Sequence, residues 1–424
     1  MSLRLMAVAI CAIIGLNPGP GRADDVLTLD GALRRVVAEH PDLRVFRHQA
    51  DVLAAEGESS ALAPPIEARA ELENWAGPGS LSGLDGAELT LTLASVLERG
   101  GKRDARRALA NSTADGLTTR RMAAEIDLLA EVARRYLELV AAQARRRITA
   151  DELAQRERTV AASLRRVQAG ASPESVYLAA EAMRARAELD VARARTEGEV
   201  AWRRLAILWG EPEAGPLPRV TGEPLDLPRL PEIAELLAML EQTPQLRRFA
   251  DQARIQEARL QLAQSSRAAD LEWQVGVRNL RDGDDWALVA GVALPIGTAR
   301  RAEPSIRAAR AAAEALAVER ESAELVLEAT LIQAHGQFTS ASMEVAKIRD
   351  DLLPRLARAE SSAERAYRAG ALSYLEWAQL QTETTAARRQ QLSAALDAHR
   401  ALIEIQRLTG EPFLTPTADA KDAR

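Results

Sequence analysis

From Lys102 to Gln168 the chain runs without a proline and with a single glycine, Gly116. Alanine, leucine, arginine and glutamate dominate the run, all good helix formers. As one helix at 1.5 Å per residue it would reach about 100 Å. No globular core is that wide. A helix of this length needs partners along its whole side, which predicts a coiled coil or a helical tube. The run ends at Ala169-Gly170, where a glycine suits a helix C-terminus. A shorter run, Glu174 to Trp209, then returns.

The same design recurs 200 residues later. Gln168-Ala169-Gly170-Ala171-Ser172 matches Arg368-Ala369-Gly370-Ala371-Leu372, and Trp209-Gly210-Glu211-Pro212 matches Thr409-Gly410-Glu411-Pro412. Upstream, Glu39-His40-Pro41-Asp42-Leu43-Arg44 resembles Gln242-Thr243-Pro244-Gln245-Leu246-Arg247. A period this long is not a solenoid. It predicts two copies of one unit: a first repeat over 24–214, a linker over 215–231, a second repeat over 232–413 and a flexible tail over 414–424.

Each repeat opens with a helical segment, Thr28 to Leu62 broken at Pro41, and Pro231 to about Ala268. The period then changes. Ile66, Ala68, Ala70 and Leu72 alternate with Glu67, Arg69, Glu71 and Glu73; after the glycine-rich stretch Gly77–Gly86, Leu89, Leu91 and Leu93 alternate with Glu88, Thr90 and Thr92. Strict alternation predicts strands with one apolar and one polar face, here a hairpin over 66–94. A second hairpin over 271–294 carries Trp273, Val275, Val277 and Leu288 on its apolar face and turns at Arg281-Asp282-Gly283-Asp284. A long helix over 303–369, bent at Pro354, and a return helix over 373–409 complete the second repeat. The fold class is mainly α with a small β part.

Nine or ten residues per strand is the length that crosses a bilayer when tilted, and Trp75, Trp273 and Trp286 stand near strand ends, where aromatic anchors are favoured. Leu72, Leu89, Leu91, Leu93, Trp273, Val275, Val277 and Leu288 are therefore expected to meet outer-membrane lipid. Four strands leave open edges, which lipid does not tolerate, and are too few to close a barrel. Two, three or four copies would supply eight, twelve or sixteen strands.

Met1 to Ala23 has the anatomy of a signal peptide: Arg4, an apolar stretch from Leu5 to Leu16, and Gly21-Arg22-Ala23 before a cleavage point at Asp24. Removing Arg4 and Arg22 takes the net charge from −6 to −8, which speaks against nucleic acid as a partner. Cys11 lies in the removed segment, with Ile10 where a lipid-modified cysteine would want a small neighbour. The four histidines are scattered, so no metal site is expected. Neither Ser172 nor Ser373 has a histidine near it in sequence. No catalytic residues, no cofactor and no enzymatic activity are expected.

Signal peptide, duplicated helix–hairpin–long helix–turn–helix units and the two Ala-Gly-Ala turns together resemble the TolC family of outer-membrane efflux ducts. The resemblance spans Leu27 to Phe413. The stretch Glu98-Arg99-Gly100-Gly101-Lys102-Arg103 is similar to the corresponding run of the heavy-metal (CzcC-like) branch, with Arg99 in place of leucine; Val96 stands where proline is usual, and Pro295 keeps that proline in the second repeat. The resemblance implies a homotrimer with a twelve-stranded barrel and a periplasmic α-helical tunnel. It implies a periplasmic adaptor and an inner-membrane pump of the resistance-nodulation-division type as partners, and heavy-metal cations as substrate. A type I secretion duct and a periplasmic structural coiled-coil protein are the competing readings.

A duct makes no bonds, so function is expected at its ends and along its wall. The two turns, Ala169, Gly170, Ala171 and Ser172, and Ala369, Gly370, Ala371, Leu372 and Ser373, are small and are expected to dock the adaptor, with Ser172-Pro173 and Ser373 starting the return helices. Glu174 lies just beyond the first turn. Glu376 stands where relatives carry an acid near the constriction, and the two are candidate tunnel-gate acids. The strand face Glu67, Arg69, Glu71 and Glu73 is expected to line the lumen, its acidity drawing cations.

Overall fold

The computed structural model describes residues 26–75, 79, 86–281 and 285–413. The signal peptide with Cys11, most of the Gly77–Gly86 stretch, the turn residues Asp282 to Asp284 and the tail from residue 414 lie outside the described residues.

Each repeat begins with a broken helix. In the first, α1 (Leu29–Glu39) is capped by Thr28, whose Oγ1 accepts from the Gly31 N–H at 3.0 Å. Proline is favoured at the first turn of a helix, where its missing N–H costs nothing, and the chain restarts at Pro41 as α2 (Pro41–Ala61). The second repeat does the same with α5 (Ile233–Leu240) and α6, which restarts at Pro244 and runs Pro244–Ser265.

One unbroken helix, α3, covers Lys102–Gln168, and α4 (Glu174–Ala206) returns beside it and tightens into a short 3₁₀ turn, Ile207–Trp209. The second rod starts earlier than the expected 303. Its first part, α7, covers Thr298–Lys347 and takes in Pro304. A π-helical turn, Ile348–Leu352, joins it to α8 (Leu353–Ala369). Pro354 explains that turn: it has no N–H to give and its ring crowds the carbonyl four residues back, so the ladder widens there. The return helix α9 covers Tyr374–Thr409.

The strands of the first hairpin are β2 (Glu67–Glu73) and β3 (Glu88–Leu97); those of the second are β5 (Leu271–Leu280) and β6 (Asp285–Ala293). They form a single antiparallel sheet in the order β2-β3-β5-β6. The hairpins meet through β3 and β5, with Leu91 opposite Val277 and Leu93 opposite Val275. Two edges remain, β2 and β6.

A further pairing has no sequence signature. Val26–Leu27 (β1) lies parallel to Arg219–Val220 (β4), inside the stretch read as a plain linker. The buried Tyr136 hydroxyl holds the two segments together, lying 2.9 Å from the Leu27 carbonyl and 2.6 Å from that of Thr221. Around it Val36, Leu139 and Leu205 form the first core, midway along the rods; Leu236, Leu331, Ile405 and Leu408 centre the second. These bulky cores lie at the level where α1 and α5 brace the rods, with a small aromatic cluster of Tyr367 and Trp377 at the far end. Elsewhere the helices meet through alanines such as Ala180, Ala187 and Ala194 of α4.

Ionic assemblies at several levels tie the repeats together, Arg389 reaching Glu152 and Asp190 among them. At mid-rod, Glu404 of α9 accepts from Arg134 of α3 at 2.9 Å and from Arg407 at 2.6 Å, and Arg407 reaches Asp127 at 3.0 Å. Burial pushes the Glu404 carboxyl up, but the Arg407 hydrogen bond and the charges of Arg407 and Arg134 outweigh it and hold it below the ordinary carboxylate range. At the collar where sheet meets rods, Lys102 lies 2.6 Å from Asp270, which also accepts from the Arg99 backbone N–H at 3.0 Å. Arg106 grips both oxygens of Glu98. Gly100 and Gly101 turn the chain here with φ of 74° and 72°. A Cβ on Gly100 would stand 2.5 Å from the Ala268 Cβ, whereas one on Gly101 would meet open space.

Both glycines are left-handed, a conformation that costs other residues about 1–2 kcal/mol. Gly101→Ala should therefore lower stability by about that amount. Gly100→Ala should cost clearly more, because the end of α6 must also move. Thermal unfolding of the detergent-purified variants measures the difference, and equal shifts would show that the close approach is immaterial. A depressed folded-state pKa gives Glu404 a stabilising contribution that is present above about pH 4.3 and lost as pH falls through its folded value. Glu404→Gln should lower Tm at neutral pH and flatten the Tm profile below about pH 5; an unchanged acid limb would assign that slope to other groups.

Candidate functional site: the two sheet faces and the two turns

The strand registers divide the sheet cleanly. Leu72, Leu89, Leu91, Leu93, Trp273, Val275, Val277 and Leu288 all fall on one face, across all four strands. Leu288 is 89% exposed and Trp286, on the same face, 69%; Trp273 and Val277 are half-buried between neighbouring strands. The face includes Leu97 and continues past the paired residues through Ile66, Leu294 and Ile296, the last 96% exposed. Among the described residues no other element covers it.

The opposite face is polar. It carries Glu67, Arg69, Glu71 and Glu73 on β2, Glu88 on β3, Glu272 and Arg278 on β5, and Asp285 on β6. Arg278 crosses three strands, reaching Glu88 at 3.0 Å, Glu73 at 3.2 Å and the Thr90 hydroxyl at 2.9 Å. Arg69 lies 3.7 Å from Glu67. Carboxylates outnumber guanidinium groups three to one on this face among the described residues, so its field is negative. Alternation made the two faces legible; the pairing of Arg278 with Glu73 and Glu88 needed the register.

At the far end of the rods the two turns share one motif. The Ala171 N–H reaches back to the Arg166 carbonyl at 2.8 Å and the Gly170 N–H to that of Val167 at 2.9 Å; Ala371 and Gly370 repeat this onto Ala366 and Tyr367 at 2.9 and 3.1 Å. These are Schellman closures, which need a left-handed residue, and Gly170 and Gly370 supply it with φ of 69° and 80°. Ala169, Ala171, Ala369 and Ala371 are exposed around them.

The starts of the return helices differ. Ser373 and Glu376 form a capping box on α9: Ser373 Oγ accepts from the Glu376 N–H, and the Glu376 carboxylate accepts from the Ser373 N–H at 3.0 Å. The Ser373 hydroxyl and then its N–H hold the Glu376 carboxyl below the ordinary range. In the first turn Pro173, not Ser172, occupies the cap position, and Glu174 is exposed in the first turn of α4. Ser172 instead accepts from Arg166 Nε at 3.1 Å.

Arg166 also joins the two turns. Its guanidinium donates to the Tyr367 carbonyl and the Ala171 carbonyl and lies over the Tyr367 ring, 4.9 Å from its centroid. Tyr367 stacks on Trp377 at 5.0 Å, within a small cluster that takes in Leu372 and Tyr374. Sequence reasoning missed this contact, because nothing in the spacing of Arg166 and Tyr367 announces it. Among the described residues no group of acids, histidines or cysteines could hold a metal ion, and no helix is long and apolar enough to cross a membrane.

Residues 32–211 match the family described as "Outer membrane efflux protein". The cobalt-zinc-cadmium resistance protein CzcC of Cupriavidus metallidurans is 25% identical over 315 residues, covering 74% of this chain and 75% of that one. The fold is similar to crystal structures of CusC, with a TM-score of 0.75 at 17% identity over 93% of this chain and 95% of that one, and of VceC from Vibrio cholerae, with a TM-score of 0.72 at 16% identity over 91% and 97%. The family match over the first repeat, the relative over three quarters of both chains and the shared fold make the chain similar to outer-membrane efflux ducts of the TolC family, and support a duct set in the outer membrane and extending into the periplasm.

Proposed function

We propose that this duct works as a homotrimer that passively receives substrate from an inner-membrane pump through a periplasmic adaptor, and that its substrates are heavy-metal cations. One observation carries the trimeric reading. The sheet is apolar outside, acidic inside and unpaired at both edges, so it satisfies its backbone in lipid only by joining copies of itself. Three copies give twelve strands. The cation assignment rests on the likeness to CzcC, whose name records cobalt, zinc and cadmium resistance, and on the carboxylates of the inner face. Passage needs no bond-making chemistry, in keeping with a family of ducts rather than enzymes.

Leu91→Arg or Val275→Arg puts a charge on the lipid face, at a cost of about 2–4 kcal/mol near the midplane. Both variants should fail to form the trimer, while Glu71→Arg on the inner face should assemble. The mass of the detergent-extracted, cross-linked protein reads this out. A monodisperse wild-type monomer with intact β signal would refute the trimer, and assembly of Leu91→Arg but not Glu71→Arg would reverse the two faces.

The adaptor is proposed to dock on the turns, at Ala169 to Ser172 and Ala369 to Ser373. Two turns per chain place six around the mouth of a trimer, and their small exposed side chains allow another helix tip to come close. Glu174 and Glu376 are proposed to ring that mouth with acids; the capping box keeps Glu376 ionised and fixed in place. The double variant Ala171→Trp/Ala371→Trp leaves both glycines and the Arg166 contacts in place. Normal trimers, lost adaptor cross-linking and lost metal efflux are expected. Full efflux at wild-type protein levels would move the docking surface elsewhere.

A further inference from the structure

The outer apolar face ends abruptly. On β3 it stops at Leu97, and Arg99 follows two residues later; Arg103 and Arg107 continue on the first turns of α3. After β6 it stops at Ile296, and Arg300 and Arg301 open α7. All five arginines are exposed. Among the described residues none of their guanidinium groups has a carboxylate within 4.0 Å or a hydrogen bond to another group. The other cations of the collar differ: Lys102, Arg106 and Arg267 are each committed to an acid, Asp270, Glu98 and Glu303.

These positions also run against the ordinary electrostatics of a helix start. An N-terminal turn favours acids. The first turn of α7 has no acid, and both α3 and α7 begin at a left-handed glycine, Gly101 and Gly297, without a side-chain cap. Free backbone N–H groups and unpaired guanidinium groups thus collect on one level, immediately beyond exposed Leu97, Leu294 and Ile296.

That level coincides with a membrane boundary. From Trp286 to Ile296 is ten residues, about 33 Å at strand rise and about 25 Å high after the usual barrel tilt, the height of an outer-membrane apolar band. The arginines fall just outside it, on the periplasmic side. At the opposite end of the strands Arg278, on the polar face, is taken up by Glu73 and Glu88.

We infer that Arg99, Arg103, Arg107, Arg300 and Arg301 form a belt that binds the phosphate groups of anionic phospholipids in the periplasmic leaflet. Guanidinium groups pair with phosphate through two parallel N–H donors, and helix N-termini add backbone donors to the same anion. The belt fixes the height of the sheet in the bilayer and gathers anionic lipid around the duct.

The test uses the whole protein in nanodiscs of phosphatidylglycerol and phosphatidylcholine, with spin-labelled versions of each lipid reporting the relative affinity of the protein-bound shell. Wild type should prefer phosphatidylglycerol several-fold, and added salt should weaken the preference. Replacing the five arginines by glutamine should bring it to parity, while replacement by lysine should retain most of it. If the five-fold glutamine variant fails to assemble, Arg99→Gln/Arg103→Gln and Arg300→Gln/Arg301→Gln are measured separately, and each should lose part of the preference. An unchanged preference in the glutamine variants overturns the inference; if pore cation selectivity changes instead, the arginines face the lumen.

Discussion

A β-strand in hydrocarbon must pair both of its edges, because an unsatisfied N–H or carbonyl there costs several kcal/mol. Four strands in one sheet leave two unpaired edges, β2 and β6, however well the interior ladders form. Everything else in the chain is compatible with that deficit being met by other copies. The sheet is apolar on the side that lipid would touch and charged on the side that would enclose water. The repeats are not separate domains, since β3 of one and β5 of the other share a full ladder.

The collar turns a flat sheet into the end of a rod. It does so with contacts that cross the repeats: Lys102 of the first holds Asp270 of the second, and Gly100 lies against the end of α6. Burial pushes the Asp270 carboxyl up, but the Lys102 hydrogen bond, the Arg99 N–H and the nearby positive charges bring it below the ordinary range. Lysine suits this place because its compact charge enters a half-buried niche, whereas the longer, planar guanidinium of Arg106 grips both oxygens of Glu98. The Gly-Gly-Lys stretch that resembles the heavy-metal branch is thus a mechanical joint, and it says little about substrate by itself.

The turns at the other end are alike in backbone and unlike in side chains. Both close by the same hydrogen bonds around a left-handed glycine. Only the second has a capping box and an aromatic cluster, and Arg166 fastens the first turn onto it. The two turns have diverged here into a supporting turn and a supported one, which would present two different surfaces to the adaptor proposed above.

Local periodicity determined much of this molecule. A run free of proline became α3, alternation of period two placed Leu91 and Glu71 on opposite faces, and Ala-Gly-Ala marked both reversals, because helix, strand and turn preferences act over a few residues. The start of the return helix at Ser373 was legible for the same reason. Partner choice over long separations was not legible. The β3–β5 ladder, the Lys102–Asp270 and Arg166–Tyr367 contacts and the β1–β4 pairing held by Tyr136 join residues more than 100 positions apart in sequence. No residue in such a pair carries a sign of the other, since charge, hydroxyl and strand edge each accept many partners. Only the packing of two repeats against each other selects one.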